Sequence, residues 1–248
     1  MKLTELIDYT GQLLQVDRYR DYCPNGLQVE GRSEVLHIVS GVTASLALLR
    51  AAQAAGADLV LVHHGYFWRG EDPRVTGIRR NRLKLLLQHD LNLAGYHLPL
   101  DAHPELGNNA QLAQRLGIGL DGWFGEQSLA AHGHLAEPQS LAQFGRLLAQ
   151  TLQHEPLLIG EPHQPLRRIA WSTGAAQDAL EQAVALGVDA FLTGEVSERT
   201  VHLANETGVA FIAAGHHATE RYGVQALGTH LAQKFGLTHQ FIDIAIPV

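Results

Sequence analysis

Apolar positions along the chain recur in two periods, and the alternation of those periods predicts the fold class. HIVSGV (37–42) is a β-branched run of the kind that fills a buried strand. TASLALLRAAQAAG (43–56) carries apolar residues at helical spacing and stops at Gly56, and ADLVLVHHG (57–65) is a second buried-type strand. A strand, helix and strand of this length predict a βαβ unit, with a parallel pair and a right-handed crossover. NRLKLLLQHD (81–90) predicts a helix leading into strand LNLAGYHL (91–98), and NNAQLAQRLG (108–117) a further helix closed by glycine. Glu5 and Asp8 interrupt the apolar pattern of MKLTELIDYTGQLL (1–14), which therefore reads as an amphipathic helix and not as a signal peptide. No apolar run approaches the roughly 18 residues of a membrane span.

The second half repeats this plan. RRIAWSTG (167–174), AAQDALEQAVALG (175–187) and VDAFLTGE (188–195) predict another strand, helix and strand. Gly56 falls over Gly187 and Asp58 over Asp189 at an offset of 131, while His97 falls over His216 and Asp101 over Glu220 at an offset of 119. The pattern predicts an α/β protein of two similar, closely packed halves, 1–124 and 125–248. A pseudo-twofold axis is expected to relate them, with a metal site in the crevice between them. Segment 121–165 shows little periodicity and is expected to be a junction with one short helix, LAQFGRLLAQTL (141–152).

Composition narrows the function classes. A net charge of −7 argues against a broad electrostatic grip on nucleic acid or anionic lipid. The single cysteine, Cys23, excludes an internal disulfide and a Cys-rich zinc site, and a cytoplasmic setting is the default expectation. The informative excess is histidine: the chain has 15, against 18 Lys plus Arg.

Several of these histidines stand where chemistry is expected. His63 and His64 directly follow the run LVLV, at the strand end where open α/β sheets place their sites. His97 and Asp101 are four residues apart after a strand, as are His216 and Glu220. Separation i, i+4 puts two side chains on one helical face, although Pro99 argues against a helix for the first pair. His63, His64, Asp101, His216 and Glu220 make five strong ligands, more than the three or four of a mononuclear zinc site. Five or six fit two ions about 3.5–4 Å apart, with a carboxylate, Glu220 by preference, as the bridge. His97 is either a sixth ligand or a neighbour that orients bound water or substrate. Histidine and carboxylate ligands suit zinc, iron, manganese or nickel better than calcium or magnesium. Tyr66, Phe67 and Trp68 beside the histidine pair fit either a stacking wall for a base or ordinary packing. Arg69, Arg74, Arg79 and Arg80 could hold phosphates, although a solvated helix start is the ordinary reading. Asn108 is expected to cap the helix it opens.

Six segments carry a family resemblance: DYCPNGLQVEG (21–31), GVTAS (41–45), VHHGYFWRGE (62–71), NLAGYHLPLDAHPELGNN (92–109), GVDAFLTGEVSE (187–198) and AAGHHATERYG (213–223). Through them the chain resembles the NGG-interacting-factor-three-like family, the GTP cyclohydrolase I type 2 homologues, over nearly its whole length outside about 121–165. The resemblance implies a two-domain α/β protein, a toroidal homohexamer, and a dinuclear metal site in each subunit with His63, His64, Asp101, His216 and Glu220 as ligands. The reading that follows is a dinuclear metal-dependent hydrolase acting on a small substrate, nucleotide-like molecules among the candidates, with His97 as the catalytic side chain. The alternative is a non-catalytic metal-binding ring that serves as scaffold or metal carrier.

Overall fold

The computed structural model describes residues 1–247, and the chain divides into two compact units. The first comprises Met1–Leu106 with Gly223–Ile244, and the second Gly107–Tyr222 with the chain from Ala245. These ranges differ from the expected halves of 1–124 and 125–248.

In the first unit, α1 (Leu3–Leu14) leads to β1 (Gly26–Val29), β2 (His37–Thr43), α2 (Leu46–Ala54), β3 (Leu59–His64), α3 (Gly77–Gln88), β4 (Asn92–Gly95) and α4 (Leu98–Ala102). The second unit holds α5 (Asn108–Leu116), β5 (Ile118–Phe124), β6 (Ala130–Ser140), α6 (Leu141–Leu152), β7 (Leu157–Ile159) and β8 (Pro165–Trp171). It continues through α7 (Leu180–Ala185), β9 (Ala190–Thr193), α8 (Glu198–Thr207) and β10 (Ala210–Ala213). Helix α9 (His216–Phe235) begins in this unit, and most of it, with β11 (Thr238–Phe241), belongs to the first.

The first sheet has the order β1-β4-β3-β2-β11, all parallel except β1 at one edge. Pairing of β11 with β2 is what returns the last segment to this unit. Successive side chains of β3 face opposite sides of the sheet. Leu59 and Leu61 pack with Leu3, Leu6, Val224 and Leu227, while Val60 and Val62 pack with Leu48, Leu49, Ala52 and Leu86. Burial on both faces explains why the strand reads as a continuous apolar run.

The second sheet has the order β5-β6-β8-β9-β10-β7, with a parallel centre and antiparallel edges. One face packs Trp171, Leu192 and Ile212 on Phe144 and Leu148; the other packs Phe191 and Phe211 on Leu180 and Ala183. Segment 121–165 corrects the sequence expectation, since β6, β7 and the end of β5 lie inside it beside the expected helix. Glycine and histidine hide the β period there. Ala131, Gly133 and Leu135 face inward, and a Cβ on Gly133 would lie 1.9 Å from the Gly119 carbonyl oxygen. The strands approach too closely for the β-branched residues that normally signal a strand. Among the described residues no helix is long and apolar enough to cross a membrane.

Candidate metal centre

Each unit gathers histidine and carboxylate side chains at the C-terminal ends of its parallel strands. In the first, β3 ends on His63 and His64, and the chain leaving β4 supplies His97 and Asp101. Ring nitrogens of His63, His64 and His97 lie within 4.8 Å of one another, close enough to share an ion. The ring centroids of His63 and His97 are 5.1 Å apart, and those of His63 and His64 4.5 Å.

The sequence expectation for Pro99 is corrected here. Residues 98–102 do form one helical turn, because proline falls in the first turn, where its missing N–H has no helical acceptor to serve. The turn sets the Asp101 carboxylate 3.4 Å from His63 Nε2. His63 is fully buried, and its Nδ1–H donates to the Tyr96 carbonyl at 2.9 Å. With Nδ1 so engaged, Nε2 is the nitrogen turned to a carboxylate oxygen, and in the neutral form of the ring it carries a lone pair. Two acceptors facing each other suit a cation between them, and a carbonyl behind the ring is the usual support of a metal-ligating histidine. The donor set fits a transition-metal ion. His64 Nδ1 is hydrogen-bonded to the Thr43 hydroxyl at 3.2 Å.

His97 stands slightly apart. Its Nδ1–H donates to Asp21 Oδ1 at 2.7 Å, and its backbone N–H donates to the Asn25 side chain at 2.8 Å. Burial opposes the ionised form of Asp21, yet hydrogen bonds and charge from His97, with Asn25 and the Tyr22 N–H, hold its carboxyl down to about 2. Burial, helped by the Asp21 charge, pushes the nearby Cys23 thiol up to about 12, so it remains protonated and unreactive at neutral pH.

In the second unit, α9 starts with His216 and Glu220 on one face, His216 Nε2 lying 3.1 Å from Glu220 Oε2. Glu195, just past β9, accepts from His216 Nδ1 at 2.7 Å. Burial disfavours the imidazolium, but the two carboxylates outweigh it and raise the His216 pKa to about 9. Gly174 makes the room: a Cβ there would lie 2.1 Å from Glu220 Oε1.

All five predicted ligands and His97 therefore stand at strand ends, three ligands in one unit and two in the other. Sequence reasoning missed the residues that orient them. Asp21 and Asn25 lie in the DYCPNG segment, and Glu195 occupies the repeat position of His64. The aromatic trio divides in its roles. Tyr66 is buried and donates to the Ala44 carbonyl at 2.7 Å, whereas the Trp68 ring lies edge-on to His97 at 4.9 Å. Asn108 is not a cap. Gly107 occupies that position, and Asn108 is the fully buried first residue of α5.

These features define an α/β protein with histidine–carboxylate groups able to hold metal. The chain belongs to the Duf34/NIF3 (NGG1p interacting factor 3) family, whose model matches residues 1–247. It is 57% identical over 248 residues to a Pseudomonas aeruginosa protein named GTP cyclohydrolase 1 type 2 homolog, covering 99% of this chain and 98% of that one. An Escherichia coli K12 protein of the same name is 51% identical with full coverage of both chains. Among solved structures, the protein ybgI, described as of unknown function, matches with TM-score 0.97 and 51% identity over 100% of both chains. The crystal structure of TTHA1606 from Thermus thermophilus matches with TM-score 0.90 and 33% identity, again over 100% of both chains.

Proposed function

We infer that the protein is a metal-dependent hydrolase with two divalent ions per subunit, acting on a small, nucleotide-like substrate. His63, His64 and Asp101 from the first unit, with His216 and Glu220 from the second, are its ligands, and their action at one centre is part of the proposal. The observation that carries it is the orientation of the buried His63: Nδ1–H donated to a carbonyl, Nε2 turned to a carboxylate. Zinc, iron, manganese and nickel all suit this donor set. When bound, such ions polarise a substrate oxygen or ring C=N group and lower the pKa of water toward neutrality.

The chain's own residues supply the rest. Asp21 fixes the His97 ring, so Nδ1 keeps its proton and Nε2 can accept one from water or return it to a leaving group. Trp68 packs edge-on against the His97 ring at 4.9 Å and helps to hold its orientation. Asp101 and Glu220 bring negative charge that offsets the ions. A homohexamer in a cytoplasmic setting completes the reading.

Elemental analysis of metal-reconstituted protein tests the metal count. Two ions per chain are expected, and no more than one would overturn the dinuclear centre. A metal-supplemented screen of nucleotides, phosphoesters and cyclic amides tests catalysis, with activity expected to vanish on metal removal. No turnover with any loaded metal, alongside capture of a specific partner, would instead support a metal-binding scaffold. Light scattering of the purified protein tests the hexamer.

A further inference from the structure

A second feature of the first unit contains none of the candidate ligands. Helices α2 and α3, which pack on the same face of the sheet, line a groove of about 380 Å³. Arg50 of α2 and Arg80 and Lys84 of α3 stand on its walls, Leu46 and Leu85 give it an apolar part, and Gln88 adds an amide. The lining contains no Asp or Glu. Its charged side chains are therefore of one sign, in a chain whose net charge is −7.

Neighbouring cations are treated differently. Arg79 is paired with Glu71, and Arg74 with Asp72. Among the described residues no ion pair neutralises Arg50, Arg80 or Lys84. Arg80 and Lys84 are also four residues apart on one helix, a like-charge spacing that opposes the helix it sits on. Three cations around one concavity, none of them in an ion pair among the described residues, offer positive charge with which a bound anion would pair.

We propose that the α2–α3 groove is a binding site for a small organic phosphate, with Arg50, Arg80 and Lys84 on the phosphate oxygens and Leu46 and Leu85 against the apolar part of the ligand. Arginine matches phosphate by paired N–H donors and lysine adds a point charge. The overall negative charge favours a small ligand over a nucleic acid strand or a membrane surface, because a long polyanion would meet the acidic remainder of the chain.

Calorimetry on full-length, metal-free protein tests this, with inorganic pyrophosphate and adenosine 5′-monophosphate as probes. Removing the metals takes away the ions to which phosphates would otherwise bind at the histidine cluster. Both probes should bind with one site per chain. Affinity should fall at least ~10-fold in Arg80→Gln/Lys84→Gln and ~3-fold or more in Arg50→Gln, each weakened further by salt. Arg199→Gln, which breaks an exposed pair with Asp178 in the second unit, should bind like the wild type. Unchanged affinity in the double variant would overturn the site, and an effect of the double variant without one from Arg50→Gln would reduce it to a patch on a single helix. Binding of poly(U) or phosphatidylglycerol vesicles through these residues, without binding of the small phosphates, would overturn the ligand class.

Discussion

Residues 37–64 and 165–195 fold on one plan and end in different chemistry. In each, a glycine with positive φ closes the crossover, Gly56 at +72° and Gly187 at +68°. Two residues later an aspartate accepts two backbone N–H groups from the preceding strand: Asp58 from Leu36 and His37, Asp189 from Arg167 and Arg168. Even the backbone bonds match, Asp58 N–H to the His37 carbonyl and Asp189 N–H to the Arg168 carbonyl. The frames separate at the strand ends. Where the first unit places His63 and His64, the second places Gly194 and Glu195.

Gly194 is packed so tightly that a Cβ would lie 2.6 Å from both the Gly174 carbonyl oxygen and the His216 Cα. Glu195 holds a histidine instead of being one. A crossover device can thus be kept while the residues just beyond it change, because the Asp and Gly roles are satisfied by backbone and the next two side chains are not.

The largest expected effect sharpens the difference in chemistry. Glu220→Ala should lose both ions if Glu220 bridges, and elemental analysis after reconstitution reads this directly; loss of one ion would make it a terminal ligand. Gly194→Ala comes next. Its Cβ would meet backbone on two sides, so a destabilisation of about 3 kcal/mol is expected in urea unfolding. Wild-type stability would show that the loop yields and that the tight packing is incidental.

The shared carboxylate gives a smaller effect and tests the likeness itself. Asp58→Ala and Asp189→Ala should each cost about 1–3 kcal/mol, since each strands two backbone donors, and very unequal costs would break the comparison. Burial opposes ionisation of Asp58, but the Leu36 and His37 N–H groups and Arg32 hold its pKa below the usual value. Its contribution is therefore present above about pH 4 and is lost as pH falls through the lowered folded pKa. The wild type should lose its advantage over Asp58→Ala on acidification.

The smallest effect is a proton count. With a pKa near 9, His216 is protonated at neutral pH without metal, and ligation requires it neutral. Metal addition at pH 7 should release close to one proton from this site. An indicator dye in weak buffer measures it, and Glu195→Gln, which removes one carboxylate from the imidazolium, should reduce the release.

Much of the frame is legible in the chain. The apolar runs of β2, β3 and β9 are continuous because both sheet faces are covered, and Gly56 and Gly187 mark where each crossover turns. The candidate ligands are legible for a related reason: His63, Asp101, His216 and Glu220 are polar residues beside strands that are otherwise apolar. Strands β5 and β6 were not legible, since glycine and histidine carry their pattern, and β1 lies in a polar loop sequence.

Local sequence determined the elements built from neighbours: the βαβ crossovers, the helix ends and the strand-end position of each histidine. Tertiary structure alone decided that β11 returns to pair with β2, that Asp21 orients a histidine 76 residues away, and that Arg50 joins Arg80 and Lys84 around one groove. The physical reason is separation along the chain. Helical and strand periods record what a residue meets within a few positions, whereas strand pairing and charge convergence depend on which distant segments packing brings together.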